Sequence, residues 1–212
     1  MKVKDMKIIA IIPARGGSTR IVDKNLCLVA GKPLLQWSVE AAQNSEYISD
    51  IVVSTDDQRI ARAALSFGAL VVRRNPAFAQ TLSSLTPVFK EVAEKYGADV
   101  YVILRPTSPI RTGKLIDEAI KKFEDHDADT LVTGYWTTER PYPHDDVPSQ
   151  TLPRWFVFDG NIEIQKRYTI MHCMAHGGII AKMVVQHKFN LEVDEPDDVF
   201  VVSAVLEKML HV

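Results

Sequence analysis

Apolar residues along the chain fall into short unbroken runs set between stretches of helical period. Ile8-Ile9-Ala10-Ile11-Ile12 is apolar at every position, as a strand covered on both faces of a parallel sheet would be. Asp50–Thr55, Ala69–Arg74, Asp99–Pro106 and Asp129–Trp136 repeat that signature and predict further strands. Helical spacing fills the gaps. Gly31-Lys32-Pro33 opens a helix running to about Asn44, with Pro33 suited to a first turn. Ile60, Ala64 and Phe67 share one face of a second helix, which stops at Gly68. A third begins at Thr86-Pro87, carries Val88, Val92 and Tyr96, and closes at Gly97. Thr112 is placed to cap a fourth bearing Leu115, Ala119 and Phe123, and Val199, Val202, Leu206 and Met209 mark a last one. Asp159-Gly160, between the β-type halves of Trp155–Gln165, predicts a hairpin, and Lys188–Val193 predicts a final strand. Thr137–Leu152, rich in Pro, Asp, Ser and Thr, reads as a loop or lid.

This alternation predicts an α/β protein: a mostly parallel sheet with helices on both faces and a small antiparallel excursion. It reads as one domain over 1–212, with the excursion at about 137–176 serving as lid or dimer contact. In such sheets ligands bind beyond the carboxyl ends of the strands. Composition then sets limits. Hydrophobic content of 46% with 25% charged residues is that of an ordinary globular chain. A net charge of -2 leaves no broad basic surface for nucleic acid, so any anion site must be local. No apolar run approaches the ~20 residues of a bilayer crossing. The run after Lys2, Lys4 and Lys7 is too short for a signal peptide and lacks a small-residue cleavage site. Cys27 and Cys173 offer no disulfide framework, which points to the cytoplasm. His172, Cys173 and His176 have no second ligand pair at zinc spacing, and Arg73-Arg74 reads as a solvated strand end.

Chemistry concentrates after the first strand. Ala14, Arg15, Gly16, Gly17, Ser18, Thr19 and Arg20 lead to Lys24 and Asn25. Paired glycines let backbone N–H groups approach a ligand, and the cations call for a negative one; a polyphosphate is the first candidate. The string is neither G-x-G-x-x-G nor a P-loop, since Leu26 stands where the latter needs its first glycine before Gly31-Lys32.

Taken with "AGKPLLQWSVEAA", "VVSTDD", "LRPTSPIRT" and "VDEPDD", the loop resembles the cytidylyltransferases that activate sialic acids and related 2-keto-3-deoxy sugar acids such as octulosonate. The resemblance implies a Rossmann-like nucleotide-diphosphosugar-transferase fold. It also implies reaction of CTP with a keto-deoxy sugar acid to give CMP-sugar and pyrophosphate, with Mg²⁺ as cofactor and a homodimer as the assembly. Arg15, Lys24 and Arg20 are then the catalytic cations. Ala14, Arg15, Gly16, Gly17, Ser18, Asn25, Ser84 and Arg105 would bind nucleotide, and Arg105, Thr107 and Ser108 the sugar. The sialic-acid branch holds magnesium with an Asp-x-Asp pair, which falls here on Glu192 and Asp194. The octulosonate branch has Val-Asp-x-Pro-x-Asp, reproduced at Val193–Asp198. Both acids are hard oxygen ligands suited to Mg²⁺. Asp197 and Asp198 read instead as acids at a helix N-terminus.

Departures from the sialic-acid pattern gather at the sugar end. Thr19 stands where lysine is usual, Arg105 replaces a glutamine, Gln80 an acid, and Val157 the arginine of Arg-Pro-Asn-Gly. Arg154 and Arg167 are nearby cations that could substitute for it. A nucleotidylyltransferase using another nucleotide or a sugar 1-phosphate, and a catalytically weak nucleotide-binding relative, remain open alternatives.

Overall fold

A computed structural model describes residues 3–79, 84–139, 152–173, 176–186 and 190–210. Its main sheet has seven strands: β1 (Ile8–Pro13), β4 (Asp50–Thr55), β5 (Leu70–Arg73), β6 (Val100–Ile103), β7 (Thr130–Thr137), β8 (Trp155–Lys166) and β9 (Ile180–Val184). A separate pair, β2 (Leu28–Val29) and β3 (Lys32–Pro33), turns at Ala30-Gly31, both at positive φ. The helices are α1 (Leu34–Gln43), α2 (Gln58–Ser66), α3 (Thr86–Lys95), α4 (Gly113–Asp125), α5 (Arg167–His172) and α6 (Pro196–Leu210).

Strand order is β5-β4-β1-β6-β8-β7-β9. The first four are mutually parallel, β8 is antiparallel to both neighbours, and β9 is parallel to β7. Burial on two faces accounts for the unbroken apolar run of β1. Ile8, Ala10 and Ile12 pack with Leu35 and Val39 of α1 and Ile116, Ala119 and Ile120 of α4. Ile9 and Ile11 face the other way, onto Val88, Phe89 and Val92 of α3. A third cluster joins Val29, Leu34 and Trp37 to Val193, Val202 and Leu206, which lays α6 beside the loop that follows β1. The expected cap forms at Thr112, which accepts from the N–H of Leu115, and Asp57 caps α2 by accepting from the N–H groups of Arg59 and Ile60. Among the described residues no helix is long and apolar enough to cross a membrane.

Two expected elements take another form. Asp159-Gly160 lies inside one continuous 12-residue strand, not at a hairpin turn. Gly160 takes φ +68°, the register against β7 shifts between Val132 and Gly134, and the Thr133 hydroxyl donates to Asp159 at 2.6 Å. The dipeptide makes a bulge, because β7 supplies partners to both halves of the strand and β6 pairs with its second half. Of the expected strand at Lys188–Val193, Lys188 and Phe189 lie outside the described residues. Leu191–Val193 is irregular, with Val193 buried and its N–H donating to the Thr107 carbonyl at 2.7 Å. The remaining strand is β9, whose Ile180 and Val184 are exposed and whose pattern gave no periodic signal. Most of the Thr137–Leu152 lid segment and Gln80 also lie outside the described residues.

Candidate active site

The carboxyl ends of β1, β4 and β6 meet where the glycine-rich loop begins. Ala14 is fully buried and donates its N–H to the Ser54 carbonyl at 2.9 Å, extending the β1–β4 pairing by a residue. Gly16 donates to the Asp56 carboxylate at 3.0 Å. A Cβ on Gly16 would stand 2.7 Å from that of Asp57, so only glycine lets the loop lie against the Asp56-Asp57 turn. Ser18 N–H turns back to the Gly16 carbonyl at 3.0 Å. A carboxylate and a carbonyl thus take N–H groups expected to wrap phosphate.

Three ties fix the rest of the loop. Asn25, buried in the middle of a short 3-10 turn, donates its amide to the Arg15 carbonyl at 2.8 Å. Asp23, at φ 53°, receives both ends of the Arg59 guanidinium at 2.8 and 2.7 Å. Lys24 donates to the Val193 carbonyl at 2.9 Å and to Asp194 at 2.8 Å. Asn25 therefore organises the loop that carries Arg15, a positioning contact beside its expected role toward ligand. Arg15 is half-buried. Its charge adds to the burial that lowers the pKa of Arg74, while Asp56 and Glu91 act the other way. Arg74 itself is buried and bonded to Ser54 through Nε at 3.3 Å and Nη2 at 2.9 Å, so the expectation of a solvated strand end fails there. The turn after β5 folds it back over β4.

The predicted metal acids stand opposite the loop cations. Asp194 pairs with Lys24 at 2.8 Å and with Arg20 at 3.1 Å, and Arg20 also reaches Glu195 at 3.0 Å. Burial pushes the Asp194 carboxyl up, but the hydrogen bond and charge of Lys24, joined by Arg20, outweigh it and hold it below the usual carboxylate range. Glu192 is half-buried and accepts from Ser108 Oγ at 3.1 Å. Burial raises its pKa, the Ser108 hydrogen bond opposes that, and the Asp194 charge raises it again. The two acids thus repel one another beside a loop of cations. No group of three or more His, Cys, Asp or Glu side chains able to hold a metal occurs among the described residues. Asp198 receives the N–H groups of Asp194 and Glu195 at 2.8 and 2.7 Å, serving the start of α6.

Beyond Glu192 lies the sugar end as read from the sequence. Gly160 stands between the two sides: an added Cβ would meet Glu192 Oε1 at 3.1 Å and Arg105 Nη1 at 3.2 Å. The Arg105 guanidinium lies over the Phe158 ring at 5.1 Å and 3.8 Å from Glu163, and its Nε is buried with no hydrogen-bond partner among the described residues. It lines a cavity of about 220 Å³, to which Ser84 also contributes. Ser84 therefore stands with Arg105 in this cavity. Thr107 and Ser108 act through the loop: Thr107 offers its carbonyl to Val193, and Ser108 is fully buried against Glu192. Of the two substitutes for the missing arginine, Arg167 is committed to the Ala93 carbonyl and the Tyr101 hydroxyl, and Arg154 is exposed. Arg105 is the cation that faces the cavity.

Residues the sequence reading passed over complete the site. Arg111 is buried and bonds the carbonyls of Arg105 (2.6 Å) and Ser108 together with Asn161 Oδ1 (2.9 Å). Burial pulls its guanidinium down to about 9 against the charges of Asp159 and Glu192, so it stays charged at neutral pH and clamps the loop after β6. Glu163, Gln165 and His176 line the cavity with Arg105. The signal for Glu163 and Gln165 was the alternation Asn161, Glu163, Gln165 along β8, which puts three polar side chains on one face of a strand that proves buried.

A parallel sheet that delivers a glycine-rich loop, three cations and two acids to its carboxyl edge defines a domain suited to nucleotide phosphates. The chain belongs to the cytidylyltransferase family, whose signature it matches over residues 9–151. It is 38% identical over 120 residues to the 3-deoxy-manno-octulosonate cytidylyltransferase of Bdellovibrio bacteriovorus, covering 57% of this chain and 47% of that protein. It is 30% identical over 218 residues to the N-acylneuraminate cytidylyltransferase of Streptococcus agalactiae, covering 91% of this chain and 52% of the relative. The chain thus spans about half the length of these relatives. The same fold occurs in a solved CMP:2-keto-3-deoxy-manno-octonic acid synthetase complexed with CTP, at TM-score 0.76 and 18% identity over 96% of this chain and 99% of the other.

Proposed function

We propose that this protein transfers CMP from CTP to a 2-keto-3-deoxy sugar acid, with Mg²⁺, in the cytoplasm. The anomeric hydroxyl of the acid attacks the α-phosphorus, the α–β phosphoanhydride bond breaks, and pyrophosphate leaves. The observation that carries this reading is the pairing of Lys24 and Arg20 with Asp194 at the mouth of the glycine loop. Without nucleotide the two cations neutralise the acid. A metal–triphosphate can take over both sets of partners at once, the cations turning to phosphate and the acid to metal.

Each residue then has a task. Arg15, Lys24 and Arg20 offset charge on the α-phosphate and the departing pyrophosphate. Gly16, Gly17 and Ser18 present backbone N–H groups once Asp56 gives way. Glu192 and Asp194 would hold the magnesium, which supplies further charge neutralisation. Arg105, held by Arg111, meets the acceptor carboxylate, whose geometry its planar fork matches.

A homodimer through the β7–β9 side also fits: β9 is a sheet edge with Ile180 and Val184 exposed, beside exposed Trp136 and Trp155. Light scattering should give twice the chain mass; the chain mass alone would refute the dimer. The catalytic reading is tested by pyrophosphate release from CTP with sugar acids present. Release that depends on both CTP and an acid supports it, and none above background refutes it.

A further inference from the structure

One residue outside the glycine loop ties its two ends together. At the first end Asp57, the cap of α2, lies against Gly16: a Cβ on that glycine would meet Asp57 Oδ2 at 2.9 Å. At the far end stands Asp23, immediately before Lys24 and Asn25. Arg59, in the first turn of α2, spans the two acids. Its Nη1 and Nη2 donate to the two oxygens of Asp23 at 2.8 and 2.7 Å, and Nη2 donates also to Asp57 Oδ2 at 2.9 Å. Its Nε turns to Asp57 Oδ1 at 3.4 Å. All three nitrogens are therefore engaged by carboxylates. Exposed ion pairs as a class contribute little, but a two-pronged guanidinium–carboxylate pair within a charge network is the geometry that does.

The effect of this grip falls on the backbone. Asp23 sits at φ 53°, a left-handed conformation that an L side chain adopts only at a cost, and its carboxylate caps nothing in its own turn. Its carbonyl accepts the N–H groups of Leu26 at 2.7 Å and Cys27 at 3.1 Å, closing the turn that carries Lys24 and Asn25. That turn directs Lys24 toward Asp194 and Asn25 toward the Arg15 carbonyl. Resting on the reading of this loop as the triphosphate site, we propose that Arg59 is a positioning residue for cytidylyl transfer. By holding Asp23 in the left-handed conformation it aims Lys24 and, through Asn25, Arg15 at the triphosphate. Arg59 does not touch the nucleotide itself.

The test measures affinity for CTP with Mg²⁺ by thermal-shift titration, and steady-state pyrophosphate release with N-acetylneuraminate or 3-deoxy-manno-octulosonate as acceptor. The wild type is compared with Arg59→Gln, Arg59→Lys, Asp23→Asn and the Arg59→Gln/Asp23→Asn double variant. Arg59→Gln should weaken CTP binding and lower kcat/KM for CTP by roughly 10- to 100-fold, the scale on which a misplaced catalytic group loses rate. The acceptor KM should stay within about 2-fold, since no acceptor contact is removed. The melting temperature without nucleotide should move by no more than about 3 °C, as for an exposed ion pair in a chain of this size. Arg59→Lys should do nearly the same harm, because one ammonium cannot span both acids. Asparagine tolerates the left-handed region but lacks the charge that Arg59 grips. In the Asp23→Asn background Arg59→Gln should therefore lose less than about 2-fold more.

Normal CTP kinetics in Arg59→Gln or Arg59→Lys overturns the inference and leaves cytidylyl transfer standing. So does an Arg59→Gln effect that persists in full beside Asp23→Asn, which would mark a direct phosphate contact. A much larger fall in melting temperature would make Arg59 a residue of the fold and overturns it as well. A wild type that binds CTP without releasing pyrophosphate refutes the proposed function, and the affinities alone then decide the inference. A wild type that does not bind CTP refutes both.

Discussion

The phosphate end and the acceptor end of this site are built in different ways. At the phosphate end one contiguous stretch, Ala14 to Asn25, supplies every expected cation, and its contacts run to fixed partners: Gly16 to Asp56, Asn25 to the Arg15 carbonyl, Lys24 to Asp194. At the acceptor end the polar lining comes from the segment that opens α3, the loop after β6, two positions of β8 and the segment before β9. Polar groups there are buried and incompletely paired, as Arg105 Nε shows, its guanidinium 3.8 Å from Glu163. The difference separates two tasks. A triphosphate is the same in every turnover and can be met by backbone and fixed charge. An acceptor must be told from its relatives, which needs individual side chains with something left to satisfy.

The largest effects should come from the phosphate end. Arg15→Ala and Asp194→Asn should each lower turnover by at least ~100-fold in steady-state pyrophosphate release, as expected for lost stabilisation of transition-state charge. Near-normal rates in either variant would remove that residue from the mechanism. Next is the clamp between the two ends. Arg111→Leu removes a buried guanidinium, leaves the Ser108 carbonyl without its donor and the Arg105 carbonyl with only the Ser108 N–H, so chemical denaturation should show a loss of about 3 kcal/mol. A loss under about 1 kcal/mol would mean the loop after β6 is held by other contacts.

A smaller effect belongs to the acceptor end. Gly160→Ala puts a methyl in the left-handed region and against both Glu192 and Arg105. KM for the sugar acid should rise by ~3- to 10-fold, with the CTP-induced thermal shift little changed. The smallest is in pH dependence. The folded pKa of His176 is raised above 6.5, so the stability it contributes is fully present below 6.5 and is lost as pH rises through the folded value. Thermal melts from pH 6 upward should show that loss in the wild type and not in His176→Gln. Parallel profiles would disprove the pairing with Glu163.

Legibility in the sequence follows the same division. β1, β4, β6 and the helices between them were readable because burial on both faces leaves unbroken apolar runs and helical spacing is local. The glycine loop was readable because its residues are consecutive, and Asp194 because Pro196 and the acids around it form a local string. The acceptor cavity was not: Ser84, Arg105, Glu163 and His176 are brought together only by strand order, and β8 reaches its place by running against both neighbours. Asp159-Gly160 misled for a related reason. The dipeptide fixes a local conformation at φ +68°, but whether the chain reverses there or bulges is decided by partner strands far along the sequence. Arg74 shows the converse, a charge that looks solvated by type and is buried by the fold of a neighbouring turn.

The most direct test of the account is thermal stabilisation by CTP, UTP, GTP and ATP, each with and without Mg²⁺. A ligand at 100 times its dissociation constant adds roughly 2.7 kcal/mol to native stability, enough for a clear shift. A cytidylyl-transferring site predicts a shift selective for CTP, larger with Mg²⁺ and reduced in Asp194→Asn. Equal or greater stabilisation by another nucleotide would contradict it.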